Sequence, residues 1–305
     1  PNGDQNNQLL FEPFHVDTEV ASLTFPEYQC IQCGRLPLEC NSQGHNGEKS
    51  QPQVYLTGAG YANSALGMPD IGLVTVTELR DHVARTFDAT GLPLIVDADT
   101  GFGNAINVGR TVRLLERAGA AALQIEDQVF PKRCGHFEGK TVISRNEMVQ
   151  KIHAAVDARG SESTLIIGRT DARQVSGLED ALDRAQAYRE AGADILFVEA
   201  PEGSSEINAI ATRFSDVPLM LNLVEGGKTP LLETDVLGEK GFVMALYANA
   251  ALRAAQRAVT SVMTSLRESG STTNVIDSLA SWEERQEVVG KSDFDLLEQK
   301  YAWEG

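Results

Sequence analysis

Basic residues are the scarce charge in this chain: 26 Lys and Arg stand against 43 Asp and Glu, for a formal net charge of -17. Nucleic acid and anionic membrane are thereby excluded as main partners, because no basic patch is large enough to displace many counterions. A small anionic ligand is not excluded, since local Arg and Lys override the global balance. No apolar run approaches the roughly 20 residues of a membrane span, and no charged-then-apolar leader opens the sequence. Four cysteines in 305 residues do not make a disulfide scaffold. A reducing compartment is expected: the cytoplasm, or a mitochondrion if a leader preceded Pro1.

What the chain does have is one pattern repeated from residue 51 to about 250. Short apolar runs alternate with amphipathic helical stretches. The runs are Val54 to Thr57, Leu92 to Asp97, Ala122 to Glu126, Leu165 to Arg169, Ile195 to Glu199, Pro218 to Asn222 and Phe242 to Leu246. Helical patterns include Val108 to Ala118, Asn146 to Ala158, Leu178 to Ala191 and Asn249 to Leu266. Gly119 and Gly192 follow two of these and suit left-handed helix ends. Near-continuous apolar strands between helices predict a parallel sheet covered on both faces. Seven such units exceed a usual doubly wound sheet and fall one short of a (β/α)8 TIM barrel. The barrel is the expected fold, with its eighth unit in the atypical segment 1–53, a barrel domain over 54–270 and a helical segment over 271–305, read as a short helix at Val275 to Ser281 and an amphipathic one at Phe294 to Tyr301.

The barrel reading also accounts for the polar residues that close the strands. Thr57, Asp97, Asp99, Glu126, Arg169, Asp171, Glu199, Asn222 and Glu225 sit at or just after strand ends, which share one rim in a barrel. Helix N-caps also favour Asp, Asn and Thr, but Glu126, Arg169 and Glu199 close their strands. Asp97, Asp99 and Glu126 offer hard oxygen ligands that suit Mg²⁺ or Mn²⁺ rather than zinc. Arg169 suits a carboxylate, and Thr57-Gly58-Ala59-Gly60 offers backbone amides to a second anionic group. Lys132-Arg133-Cys134-Gly135-His136 surrounds one thiol with cations, a setting that tunes its pKa for proton transfer. A basic surface turn around a small buried Cys is the other reading of those five residues.

The ordered stretches YLTGAG (55–60), LGMPDIGL (66–73), VDADTGFGN (96–104), IEDQVFPKRCGH (125–136), GRTDAR (168–173), FVEAPE (197–202) and NLVEGGKTP (222–230) resemble the isocitrate lyase and phosphoenolpyruvate mutase superfamily. They are most similar to its short members, of the 2-methylisocitrate lyase, 2,3-dimethylmalate lyase and carboxyphosphonoenolpyruvate mutase types. That resemblance implies a barrel with its last helix swapped between subunits of a homotetramer. It implies Mg²⁺ held by Asp97, Asp99 and Glu126, partly through water. It implies a substrate site lined by Tyr55, Thr57, Gly58, Ala59, Arg169, Glu199 and Asn222, with Asp70 nearby and Gly135 in a loop from Lys132 to Lys140. The implied reaction is cleavage of a 2-hydroxy di- or tricarboxylate to an α-keto acid such as pyruvate, with Cys134 as general acid. Tyr55 is either the base or a buried phenol with a structural hydrogen bond; His136 orients the loop. Lys132 and Arg133 either neutralise the distal carboxylate of the substrate or are simply solvated.

Two other readings stand beside this one. The KRCGH and VEGGKTP motifs also match a phosphonate mutase, which would act on a P–C bond. A non-catalytic, barrel-derived binding protein would explain an irregular first unit, although the expected acids, Arg169 and Cys134 are all retained. Cys30, Cys33, Cys40 and His45 have the residue types of a small zinc site, but little apolar content surrounds them.

Overall fold

The expected alternation of strand and helix is realised in the computed structural model, which describes residues 53–133, 135 and 139–303. The elements are β1 (Val54–Leu56), α1 (Gly58–Ala65), α2 (Val76–Thr90), β2 (Leu94–Asp97), α3 (Ala105–Arg117), β3 (Ala120–Glu126), α4 (Arg145–Ala158), β4 (Leu165–Thr170), α5 (Ala172–Ser176), α6 (Leu178–Glu190) and β5 (Ile195–Val198). They continue with α7 (Gly203–Arg213), β6 (Leu219–Asn222), α8 (Thr234–Glu239), β7 (Phe242–Leu246), α9 (Ala250–Ser269), a 3-10 turn (Thr273–Ser278), α10 (Trp282–Val288) and α11 (Lys291–Lys300). All strand pairs are parallel, and each strand lies beside its sequence neighbours.

Helix starts follow local chemistry. Thr75 and Asn104 cap α2 and α3 in reciprocal capping boxes, and Ser144 caps α4. Gly119 and Gly192 have φ of 110° and 101°, as their places after α3 and α6 predict. The C-terminal expectation of a helix over Val275 to Ser281 is corrected. A 3-10 turn occupies Thr273–Ser278, and Ser281 is instead the cap of α10, with Glu284 completing the capping box.

Strand parity divides the sheet into two faces. Leu94, Val96, Leu123, Ile125, Ile166, Leu196, Leu219 and Leu221 form the outer core with Val83, Val112, Ile152, Tyr188 and Ile210 from the helices. Ile95, Ala122, Ile167, Ile195, Phe197, Met220, Met244 and Leu246 form a separate inner cluster. Tyr55 of β1 and Met244 and Leu246 of β7 line one small inner cavity, so the sheet curls until its first and last strands face the same interior. This is the TIM-barrel-type architecture expected, seen as seven strands among the described residues, with no pairing between β1 and β7. The eighth unit expected within 1–53 lies outside the described residues, apart from Gln53, as do Cys30, Cys33, Cys40 and His45.

Helices α9, α10 and α11 carry no buried residue. Among the described residues no helix is long and apolar enough to cross a membrane.

Gly168 lets β4 lie close against Tyr188 of α6 and Ala193 just beyond that helix. A Cβ there would lie 3.1 Å from Ala193 Cβ and 3.2 Å from Tyr188 Cβ. Gly168→Val should overfill this contact and lower the unfolding free energy by about 1–3 kcal/mol, read by urea denaturation. An unchanged midpoint would show that the contact is loose.

Candidate active site

Continuing the inward-facing series of each strand toward its C-terminal end leads from apolar to charged side chains. Ile95 gives way to Asp97, Ala122 to Gln124 and Glu126, Ile167 to Arg169, Phe197 to Glu199 and Met220 to Asn222. All of these polar side chains are buried. Asp97 accepts from the backbone N–H of Gly58 (3.3 Å) and Asp99 (3.1 Å) and from the Gln124 amide (3.1 Å). Asp99 has φ of 48°, a left-handed conformation that Asp tolerates better than most residues. A Cβ on Gly58 would lie 3.0 Å from Asp99 Oδ1 and 3.5 Å from Asp97 Oδ2, so only glycine lets α1 begin this close to both carboxylates. Thr57 caps that helix through its side chain.

Three cations reach into the acids. Lys132 Nζ is 2.5 Å from Asp70 Oδ1 and 2.8 Å from Asp99 Oδ1. The Arg169 guanidinium lies above the Phe197 ring, 5.1 Å from its centroid. Its Nε donates to Asp171 Oδ2 (2.9 Å) and its Nη2 to Asp171 Oδ1 (3.1 Å), while Glu126 lies 3.2 Å from Nε and Glu199 3.5 Å from Nη2. Arg169 is therefore held as a fork by Asp171, and among the described residues Nη1 is the nitrogen with no acidic partner. Lys140 Nζ donates to Asp171 Oδ1 (2.8 Å) and to the Gly135 carbonyl. Gly135 itself lies against the site: a Cβ there would be 2.6 Å from Arg169 Nη2 and 2.8 Å from Glu199 Cδ.

Behind the rim, Asp127 accepts from Tyr188 Oη (2.6 Å), Thr170 Oγ1 (2.7 Å), the Asp171 N–H (2.9 Å) and Arg184 (3.3 Å). Lys151 of α4 donates to the Thr100 carbonyl at 3.0 Å. Asn222 donates to Glu199 Oε1 at 3.3 Å. Tyr55 Oη donates to Gln124 Oε1 at 2.6 Å, which joins the phenol to Asp97 through one amide.

The electrostatics reveal an excess of negative charge. Asp97, Asp99, Glu126, Asp127, Asp171 and Glu199 are buried and Asp70 nearly so, against Lys132, Lys140, Lys151, Arg169 and Arg184. Burial pushes the Asp99 carboxyl up to about 7, with Asp97 adding to it and Lys132 opposing it. Burial likewise raises Glu126 well above its ordinary value, opposed by Arg169. Burial, then Asp97, raises the Tyr55 phenol well above its ordinary value. For Lys132, burial is outweighed by Asp99, Asp97, Glu126 and Asp70, which hold the ammonium charged.

Among the described residues no three His, Cys, Asp or Glu side chains form a ready cage for a metal ion. Glu126 Oε1 is nonetheless buried with no hydrogen-bond partner among the described residues. With Asp97 and Asp99 beside it, the donor set is all hard oxygen, and seven carboxylates face five cations. A single hard divalent cation that keeps part of its water shell fits these residues.

Of the residues expected from the sequence, Tyr55, Thr57, Gly58, Ala59, Asp70, Asp97, Asp99, Glu126, Gly135, Arg169, Glu199 and Asn222 lie on or beside this end of the sheet. Cys134 and His136 lie outside the described residues. Lys140, Lys151 and Tyr188 were not singled out by sequence. Lys151 carried a readable signal, because it shares the buried face of α4 with Met148, Ile152 and Ala155. A cation on an apolar stripe needs a buried partner.

The family model described as phosphoenolpyruvate phosphomutase matches residues 45–267. The chain is 45% identical over 249 residues to a 2,3-dimethylmalate lyase of Eubacterium barkeri, covering 82% of this chain and 86% of the relative. It is 48% identical over 246 residues to a 2-methylisocitrate lyase of Salmonella typhimurium, covering 79% and 82%. A crystal structure of 2,3-dimethylmalate lyase, described as a PEP mutase/isocitrate lyase superfamily member, matches at a TM-score of 0.78 and 32% identity over 92% of this chain and 91% of that one. Oxaloacetate acetylhydrolase in complex with 3,3-difluorooxalacetate matches at 0.76 and 34% identity, covering 81% and 84%. Phosphonopyruvate hydrolase in complex with oxalate and Mg²⁺ matches at 0.72 and 30% identity, covering 87% and 90%.

Lys132 is the test of the charge arrangement. Lys132→Met should destabilise the EDTA-treated protein by about 3–5 kcal/mol, because Asp70 and Asp99 lose their buried partner. Urea denaturation reads this, and a loss below about 1 kcal/mol would place the ammonium in solvent.

Proposed function

The chain belongs to the phosphoenolpyruvate mutase and isocitrate lyase superfamily, and from that premise we propose that it is a Mg²⁺-dependent carbon–carbon lyase of 2-hydroxy di- or tricarboxylates. Substrates of the 2,3-dimethylmalate or 2-methylisocitrate type would yield an α-keto acid such as pyruvate and a second carboxylate. The observation that carries this reading is the rim itself: Asp97, Asp99 and Glu126, with an unpartnered Glu126 oxygen, gathered beside the guanidinium of Arg169. The named lyases among the relatives support it.

Asp97, Asp99 and Glu126 would hold Mg²⁺, or Mn²⁺ in its place, partly through water. The bound cation would supply Lewis-acid polarisation of the 2-hydroxy acid end and neutralise the excess carboxylate charge. Arg169, fixed by Asp171, presents Nη1 to the same carboxylate. In the first turn of α1 the Gly58 N–H is taken by Asp97, and the Ala59 N–H would serve a second anionic group. Asn222 Oδ1 is buried without a hydrogen-bond partner among the described residues and would be available to a substrate donor. A general base takes the hydroxyl proton, C2–C3 breaks to release the α-keto acid, and the enediolate left behind takes a proton at carbon from Cys134. Support for that last role comes from Gly135, the covalent neighbour of Cys134, which lies against Arg169 and Glu199. His136 keeps its proposed part in orienting this loop. Tyr55 is assigned a positioning part, since its O–H donates a hydrogen bond to Gln124, which holds Asp97, and burial disfavours the phenolate a base would need.

A homotetramer with exchanged C-terminal helices is proposed as the working assembly. Helices α9, α10 and α11 bury no residue and expose Val259, Met263, Trp282 and Phe294, with Trp303 exposed just beyond them, which supports it. Light scattering should report four chains; a monomer would contradict this.

Turnover decides the reaction. Pyruvate release should be seen with 2-methylisocitrate or 2,3-dimethylmalate and be abolished by EDTA. Cys134→Ala should lower it by about 10²–10⁴-fold, and Tyr55→Phe by less than about tenfold. No turnover from the folded protein on these acids, citramalate or oxaloacetate would overturn the lyase. Formation of a P–C bond from a phosphonate precursor would identify a mutase instead.

A further inference from the structure

The buried ammonium of Lys140 has no part in the chemistry just described, yet it joins two pieces of the site. Its side chain is 1% exposed, and the Asp171 carboxylate that faces it is fully buried. Asp171 receives Nε and Nη2 of Arg169 on one side and Lys140 Nζ on the other. Lys140 then spends a second hydrogen bond on the carbonyl of Gly135. Asp171 is itself anchored, because its backbone N–H donates to the buried carboxylate of Asp127. One continuous path therefore runs from Asp127 through Asp171 to Arg169, and from Asp171 through Lys140 to the backbone at Gly135.

We infer that Lys140 is a positioning residue that sets the Gly135 backbone, and with it the point of attachment of Cys134, relative to Arg169. The bond to a carbonyl rather than to a side chain is what makes this a backbone-setting contact. The tolerance is small, since Gly135 already lies so close to Arg169 and Glu199 that a methyl group would collide with both. Asp171 keeps Arg169 in place through its own two hydrogen bonds, so losing Lys140 moves the Gly135 side and leaves the Arg169 side where it is. The kinetic part of the inference rests on the lyase reading; the structural part does not.

Two measurements on wild type, Lys140→Met and Lys140→Gln separate these parts. Trypsin cleavage after the exposed Arg133, followed by mass spectrometry, reads the backbone directly. It should rise by about tenfold or more in both variants, with cleavage unchanged at every site other than residue 140, which the substitution itself removes. A general rise at all sites, or no rise after Arg133, overturns the inference whether or not the protein is a lyase. On the acid that wild type cleaves, kcat should fall by about 10²-fold, as expected of a misplaced reacting group. Inhibition by oxalate with Mg²⁺ should change by less than about threefold, because Arg169 stays held. Asp171→Asn should instead weaken oxalate and kcat together. A Lys140 variant in which both fall in parallel, or in which kcat per folded molecule is unchanged, contradicts the positioning role. Absence of wild-type turnover sinks the lyase and leaves the cleavage result to decide Lys140 alone. Lys140→Gln retains a donor, so it supplies a folded sample if Lys140→Met does not fold.

Discussion

Burying more carboxylates than cations at one end of a curled sheet is the constraint on which the rest of this protein depends. An isolated buried charge is costly, and each one must be paired, hydrogen-bonded or neutralised by protonation. The protein uses all three means. Asp127 and Asp171 are saturated with donors and paired with Arg184, Arg169 and Lys140. Asp97 is met by two backbone N–H groups and an amide. Asp99 and Glu126 carry the remainder, and burial raises both carboxyls, as it also raises that of Asp127 despite its donors. An arrangement that costs this much stability is expected at a functional site rather than in a structural core.

The same strands serve both needs because alternate residues face opposite ways. Outward side chains of β2 to β6 bury against helices and secure the fold. Inward ones fill the interior with Ile, Phe and Met and then turn charged at the strand ends. Behind those ends, α4 and α6 supply Lys151, Arg184 and Tyr188 to the site from the outside. The helices thus have a second function beyond covering apolar surface. Their polar atoms hold the backbone of Thr100 and the carboxylate of Asp127.

Much of this was legible before any coordinates. A period of two in the strands and the acids and Arg at their ends are local patterns, and Asp97, Glu126, Arg169, Glu199 and Asn222 fall on one rim as that pattern predicts. Glycine after α3 and α6 read correctly because left-handed geometry is a property of the residue itself. Lys140 and Tyr188 were opaque because their partners, Asp171 and Asp127, are 31 and 61 residues away in the chain. Arg169 looked like a free fork until its neighbour two residues on was seen to take two of its nitrogens. The short helix misplaced near Ser281 shows the limit of periodicity, where a single capping side chain sets the boundary.

The central claim is that the excess carboxylate charge is a cation site made by Asp97, Asp99 and Glu126. Titrating Mn²⁺ into the metal-free protein, with the free ion followed by electron paramagnetic resonance, tests it without any substrate. The account predicts one site per chain, weakened by about tenfold or more in Glu126→Gln. Absence of stoichiometric binding, or binding that Glu126→Gln leaves unchanged, would contradict it.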